Sequence, residues 1–371
     1  MIKPKHILIV SSEFPPQPGG IGNHAYNLGM QLSKHGYGIT VISDSRSVSG
    51  ELEATFDAAL PFKVIRISVS FIRSFMYVKR LYFLWRHIRH NELVIASGKF
   101  SLWSVGLFSL FFNKRYLAII HGSEVNLKSV IFRKLTAMAL RRFQRIIAVS
   151  NYTKGLVEQF KRDCIKVIPN GFDASKWTDE PLDKSLHLKG SPKLITVGRI
   201  SERKGQINVI RHLPELLKLF PEVHYHCVGI ANSMDACLKT VKALGLEDYV
   251  TFHGEVPHQE LKQLLKASDI FVMLNSETKS GDVEGFGIAV IEANALGIPA
   301  IGARGSGVEM AILEGKSGIL INGMDTDAFI SAISNIMHNK SKFREASVLW
   351  AEQHRWDKVV KLYIDTINAY P

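Results

Sequence analysis

The sequence predicts two facing Rossmann-like α/β domains, each a mainly parallel, doubly wound sheet. Three observations predict this. The chain has 371 residues, too many for one ordinary core and suited to two. Short apolar runs alternate with helical patterns, as when strands are joined by helical crossovers. The pattern stops at Pro169-Asn170-Gly171, passes through a polar stretch at 174–191, and restarts at Lys193.

In the first half, Ile7-Leu8-Ile9-Val10 makes 6–11 a strand buried on both faces, and 23–34 is the helix that follows it. Further strands are expected at 38–43, 64–67, 92–96, 116–120, 145–149 and 165–168. In the second half, strands at 193–197, 223–228, 249–252, 270–274, 299–302 and 318–321 alternate with helices at 206–219, 233–244, 258–267 and 286–296. Asp325 opens another helix, and roughly 341–370 is helical to the end. Sheets of this kind bind ligands beyond the carboxyl ends of their strands, so two facing domains place the site in the cleft between them.

Composition narrows the class. Hydrophobic residues make up 46% and charged residues 22%, ordinary for a folded soluble protein. Cys164, Cys227 and Cys237 share no metal-ligand spacing and too few are present for a disulfide framework, which points to a reducing compartment. No secretory leader is visible, and the longest apolar patch, 100–112, is too short to span a bilayer. A cytoplasmic protein is expected. The net charge of +12 is uneven: residues 1–170 hold +15 and the remainder −3, so the first half is expected to face something anionic.

Three stretches carry chemistry. After the first strand comes Pro15-Pro16-Gln17-Pro18-Gly19-Gly20-Ile21-Gly22; glycines let backbone approach a ligand, and the helix that follows offers free N–H groups to an oxyanion. The second half opens with Gly198-Arg199, then Lys204-Gly205, an arginine fork and a lysine point charge suited to a diphosphate. The run from Asp282 to Ala293 sets Glu284 in a glycine-flanked loop and Glu292 eight residues later on roughly the same helix face. A carboxylate at a helix N-terminus is favoured by the dipole and accepts hydrogen bonds from sugar hydroxyls.

Taken in order, the motifs resemble glycosyltransferase family 4, with the GT-B fold. They include the glycine loop, His121-Gly122-Ser123-Glu124, Val149-Ser150, Ile168 to Asp173, Gly198-Arg199 with Lys204-Gly205, and Ser268-Asp269. Glu284-x7-Glu292 and the stretch from Gly302 to Glu309 complete the set. The resemblance covers the whole length. It implies an acceptor-binding domain over 1–173, a linker at 174–191, a nucleotide-sugar-binding domain over 192–349, and a last helix, about 350–371, packed back on the first domain.

It also implies roles. Arg199 and Lys204 neutralise the donor diphosphate, Glu292 binds the ribose, and Glu284, with the Gly285-Phe286-Gly287 backbone beside it, holds donor-sugar hydroxyls. Gly20 and Gly22 bring backbone to the phosphates, His121 sits beside the donor sugar, and backbone around Val256 recognises the base. The new bond keeps the donor's anomeric configuration, so the protein supplies positioning and charge stabilisation rather than a strong base. No metal or cofactor is expected: Asp325-Thr326-Asp327 resembles a metal-binding Asp-x-Asp, but Asp at a helix start is a routine cap.

The insertion 277–283 is similar to that of bacterial mannosyltransferases, favouring GDP-mannose over UDP-sugars. Residues 69–90 interleave aromatic with basic side chains, as in a helix lying on an anionic membrane surface; no nucleic-acid motif accompanies them. The expected activity is hexose transfer to a lipid-linked or polysaccharide acceptor in bacterial envelope glycan assembly, such as lipopolysaccharide O-antigen or capsule, by a peripheral protein of the inner membrane face. The alternatives are a nucleotide-sugar epimerase of the same fold and a non-catalytic membrane-associated scaffold.

Overall fold

A computed structural model describes residues 5–47, 49–68, 73–177, 181, 183, 187–231 and 234–369, with residues 73 and 74 described by their backbone alone. The chain divides into two units: Met1–Gly171 with Trp356–Pro371, and Phe172–Arg355.

The first unit is built on seven strands: β1 (His6–Ser11), β2 (Gly38–Asp44), β3 (Lys63–Ile67), β4 (Leu93–Ser97), β5 (Arg115–Ile120), β6 (Arg145–Ala148) and β7 (Ile165–Val167). All pairings are parallel, in the order β3-β2-β1-β4-β5-β6-β7. The order reverses between β1 and β4, which makes their carboxyl ends the switch point where ligands bind. Ile7, Leu8 and Ile9 are almost completely inaccessible, as a strand covered on both faces requires. Helices Arg73–Ile88, Lys99–Phe108 and Val130–Leu140 set Leu84, Leu102 and Leu140 into one apolar cluster with β1, β4 and β5.

The second unit has six parallel strands: β8 (Lys193–Val197), β9 (His224–Val228), β10 (Val250–Gly254), β11 (Ile270–Met273), β12 (Ala300–Ala303) and β13 (Gly318–Ile321). Their order is β10-β9-β8-β11-β12-β13, with the switch between β8 and β11. Helices Gln206–Leu219 and Thr326–His338 close one face, packing Val209, Leu213, Phe329 and Ile333 onto β8, β11 and β12.

Every expected strand is present, but several helix boundaries differ. The helix expected at 23 begins at Gly20. The one expected at 286 begins at Ile288, because Gly287 adopts φ 87° and caps it from outside, leaving Phe286 in the loop. The terminal helix is two, Lys340–Gln353 and Trp356–Asn368. Between them His354 closes the first helix, and Arg355 forms a bridge with Phe172. Residue 233, the expected start of a helix, lies outside the described residues; that helix runs Met234–Ala243.

Candidate donor site

The site in the second unit grows from the ends of β8 and β11. β8 stops at Val197, and Gly198 (φ 141°) turns the chain. A side chain on Gly198 would lie 3.1 Å from Lys204 Cε, so its absence lets the Lys204 stem lie across the turn. A short 3-10 turn, Glu202–Lys204, ends on Gly205 in the left-handed region (φ 77°). A Cβ there would meet Leu274 O at 1.9 Å. Only glycine fits, and this contact presses the basic loop against the end of β11.

Lys204 Nζ lies 2.8 Å from Glu284 Oε2, and Arg203 Nη1 bonds the same oxygen. Arg203 Nε also pairs with Asp282 at 3.1 Å. The other carboxylate oxygen of Glu284 accepts from Gly287 N–H at 3.2 Å, the opening of helix Ile288–Ala295. Burial alone would raise the Glu284 carboxyl, but the Lys204 and Arg203 charges beside it hold it below its ordinary value. The loop is locked from behind: Gly307 N–H donates to Glu284 O at 3.0 Å, and a Cβ on Gly307 would lie 2.0 Å from Gly285 O. Ser306 Oγ donates to Asn275 Oδ1 at 3.2 Å.

Glu292 is partly buried on the same helix. Burial pushes its carboxyl up to about 7, against the opposing pull of Lys204 and Lys176. The two glutamates therefore share the influence of Lys204 yet behave oppositely. Arg199 is exposed on the turn after β8. Val256 is partly exposed after Gly254, whose carbonyl accepts from Gly229 N–H at 2.8 Å.

Lys204, expected at the donor diphosphate, is paired with Glu284 in this structure. Arg203, to which the sequence pattern gave no role, is the second clamp on Glu284, and only its contacts 79 and 81 positions downstream, with Asp282 and Glu284, distinguish it. Asp325 caps the helix Thr326–His338 by accepting from Ala328 N–H at 2.9 Å. Among the described residues no group of three or more His, Cys, Asp or Glu is placed to hold a metal ion.

In the first unit, His121 follows β5. Its Nε2 lies 3.0 Å from Ser97 Oγ, at the end of β4, and its backbone N–H donates to Glu124 Oε2 at 3.2 Å. Burial depresses His121 to about 4 and pushes Glu124 up to about 7, so the imidazole is neutral near pH 7. Its ring stands edge-on to His24, 5.0 Å away, and His24 Nε2 meets Tyr363 OH at 2.9 Å. The last helix thus supports the His121 site.

The glycines of the loop after β1 differ. A Cβ at Gly22 would lie 2.9 Å from Glu13 C and Phe14 N, so Gly22 lets the helix pack on its own loop; a Cβ at Gly20 would meet nothing within 4 Å among the described residues beyond its own helix and chain neighbours.

Of the segment expected to lie on a membrane, residues 69–72 fall outside the described residues, as do the side chains of 73 and 74. The helix Arg73–Ile88 buries Met76, Leu84 and Ile88 and exposes Phe75, Val78, Tyr82 and Trp85. Arg80 does not belong to the outer face: it pairs with Asp44 and sits 4.5 Å from the Phe100 ring centroid. Among the described residues no helix is long and apolar enough to cross a membrane.

Comparisons with known proteins bear on this geometry. The family model "Glycosyltransferase Family 4" matches residues 18–176, and "Glycosyl transferases group 1" matches 178–353. This chain belongs to glycosyltransferase family 4. It is a glycosyltransferase with the GT-B fold. It is similar to the GDP-mannose-dependent α-(1-6)-phosphatidylinositol monomannoside mannosyltransferase of Mycobacterium tuberculosis, 24% identical over 98% of both chains. The corresponding Mycolicibacterium smegmatis protein is 28% identical over 66% of this chain, a match spanning 65% of that protein's length. In structure, this glycosyltransferase is similar to Anabaena HepE, solved with UDP and glucose, with a TM-score of 0.77 over 99% of this chain and 100% of that one at 17% identity.

Proposed function

We propose that this glycosyltransferase moves a hexose, mannose in preference, from GDP-mannose to a lipid-linked or polysaccharide acceptor of the bacterial envelope, with retention of configuration and without a metal. The observation that carries this reading is the Glu284 clamp: a buried carboxylate fixed at a helix N-terminus by Lys204 and Arg203, with the exposed Arg199 on the same loop as those two cations. On arrival, the donor diphosphate takes Arg199 and draws Lys204 from Glu284, freeing carboxylate oxygens for sugar hydroxyls. Glu292 accepts from the ribose, backbone at Gly285, Phe286 and Gly287 follows the sugar, and backbone around Val256 reads the base. In the first unit Gly20 and Gly22 are assigned to the phosphates and His121 to the sugar, acting as a neutral hydrogen-bonding group. The mannosyltransferase relatives support mannose and GDP.

The acceptor reading is supported by the charge of the first 170 residues and by exposed aromatic side chains on the helix Arg73–Ile88. These suit a cytoplasmic protein peripheral on an anionic membrane face. Calorimetry against GDP-mannose, UDP-glucose, UDP-galactose and UDP-N-acetylglucosamine tests the donor. GDP-mannose is expected to bind most tightly; no binding of any at about 1 mM, the upper end of usual KM values, sinks the reading. Transfer is expected to persist in EDTA, and its loss there overturns the metal-free mechanism. Glu284→Ala and Lys204→Ala are each expected to lower transfer by about 100-fold or more while leaving the melting transition cooperative.

A further inference from the structure

Residues 68–142 carry 13 lysines and arginines against two carboxylates, Glu92 and Glu124, and Glu124 is buried. Where the chain leaves helices Lys99–Phe108 and Val130–Leu140, an open pocket of ≈290 Å³ lies at the amino end of β5. Lys114, Arg141, Arg142 and Lys161 line it, and among the described residues no carboxylate does.

Cations at helix C-termini are ordinary, because they meet the negative end of the dipole. Two of the four have that role or one like it: Lys161 Nζ donates to Phe143 O at 2.8 Å and Lys114 Nζ to Arg89 O at 2.9 Å. Arg141 and Arg142 remain exposed over a built floor. There Tyr116 OH donates to Phe112 O at 2.6 Å, and Gln144 Oε1 accepts from Tyr116 N–H at 2.6 Å. Exposed apolar side chains lie close by in sequence: Leu110 and Phe111, the latter 72% exposed, fall between the lining residues Ser109 and Phe112, and Met138 comes three residues before Arg141.

We infer that this pocket takes the phosphate of an anionic lipid headgroup, with Leu110, Phe111 and Met138 entering the acyl boundary beside it. Two arginine forks match phosphate oxygens, and apolar side chains beside them distinguish a lipid surface from a soluble anion. The pocket is not a substrate subsite. It opens at the amino end of β5, whereas His121 follows its carboxyl end, six residues or roughly 20 Å away. The inference deepens the membrane reading above by naming the chemical group gripped and the residues that grip it.

The test uses the full chain with phosphatidylcholine vesicles, with and without phosphatidylglycerol, read by co-sedimentation. Arg141→Gln with Arg142→Gln is expected to weaken binding to the anionic vesicles by about tenfold or more. A matched loss of two charges in the second unit, Lys239→Gln with Lys242→Gln, is expected to change it little. Melting temperatures and donor calorimetry are expected to stay at the wild-type values for both variants. Equal loss in both variants reduces the effect to net charge and overturns the pocket. Unchanged binding in the arginine variant overturns the pocket and leaves the membrane reading standing; no binding by the wild type sinks both. In a second arm, glycerol 3-phosphate is added to the protein alone. Thermal protection by it that requires Arg141 and Arg142, without vesicle binding, assigns the pocket to a soluble phosphate and overturns the lipid occupant.

Discussion

Lys204 stands between two glutamates that titrate in opposite senses. Glu284 is held below its ordinary value and stays ionised, while burial raises Glu292 to about 7. If the ribose hydroxyls donate to ionised Glu292, only that form binds the donor well. Below pH 7 the competent fraction falls, so donor affinity at pH 6 is expected to be about tenfold weaker than its alkaline plateau. Glu292→Gln is expected to remove this dependence, and calorimetry across pH 5.5 to 8.5 checks it; a flat wild-type profile contradicts the ribose assignment. The sequence showed Glu284, Glu292 and Lys204 because their spacing repeats a recognisable order. Arg203 was invisible, since a basic residue in an exposed loop has no pattern and its partners lie about 80 positions away.

Among elements, the helix Gly20–Lys34 and its loop separate two uses of glycine. Gly22 is required by packing, and Gly22→Ala is expected to cost about 1–3 kcal/mol of stability as the loop is forced from the helix. Gly20 has open space around it, so Gly20→Ala is expected to leave stability unchanged or raise it by up to ~1 kcal/mol. If Gly20 serves the phosphates, that same variant loses donor affinity. Denaturant unfolding with donor calorimetry separates the two; a Gly20→Ala protein with full affinity removes Gly20 from the site. Strands were readable because β1 and its neighbours are continuous apolar runs, whereas helix ends were not. Gly287 moved one start by adopting a left-handed conformation, and the break at His354–Arg355 comes from pairing with Phe172, far away in sequence.

At the scale of the molecule, the first unit is assembled from both ends of the chain. Its last helix buries Trp356, Val359, Val360, Tyr363 and Ile367. Five such side chains contribute of order 10 kcal/mol, as much as the whole stability of an ordinary domain. Deleting 356–371 is therefore expected to unfold the first unit and spare the second. Limited proteolysis reads this directly: cleavage sites are expected within 5–171, with a resistant fragment from the second unit. Equal protection of both units in the shortened protein contradicts the prediction.

That discontinuity also sets an order of events during synthesis. The first 171 residues leave the ribosome with His24 lacking Tyr363 and Gly171 lacking the Trp356 ring that covers it. They wait for the entire second unit to be translated, roughly 10–40 s at ordinary elongation rates. Throughout that interval the first unit lacks the support behind His121. The second unit, continuous in sequence, completes first, so the half of the protein made earlier is the half that matures last. Any scheme that expresses the two units as separate polypeptides has to give the first one its distant tail.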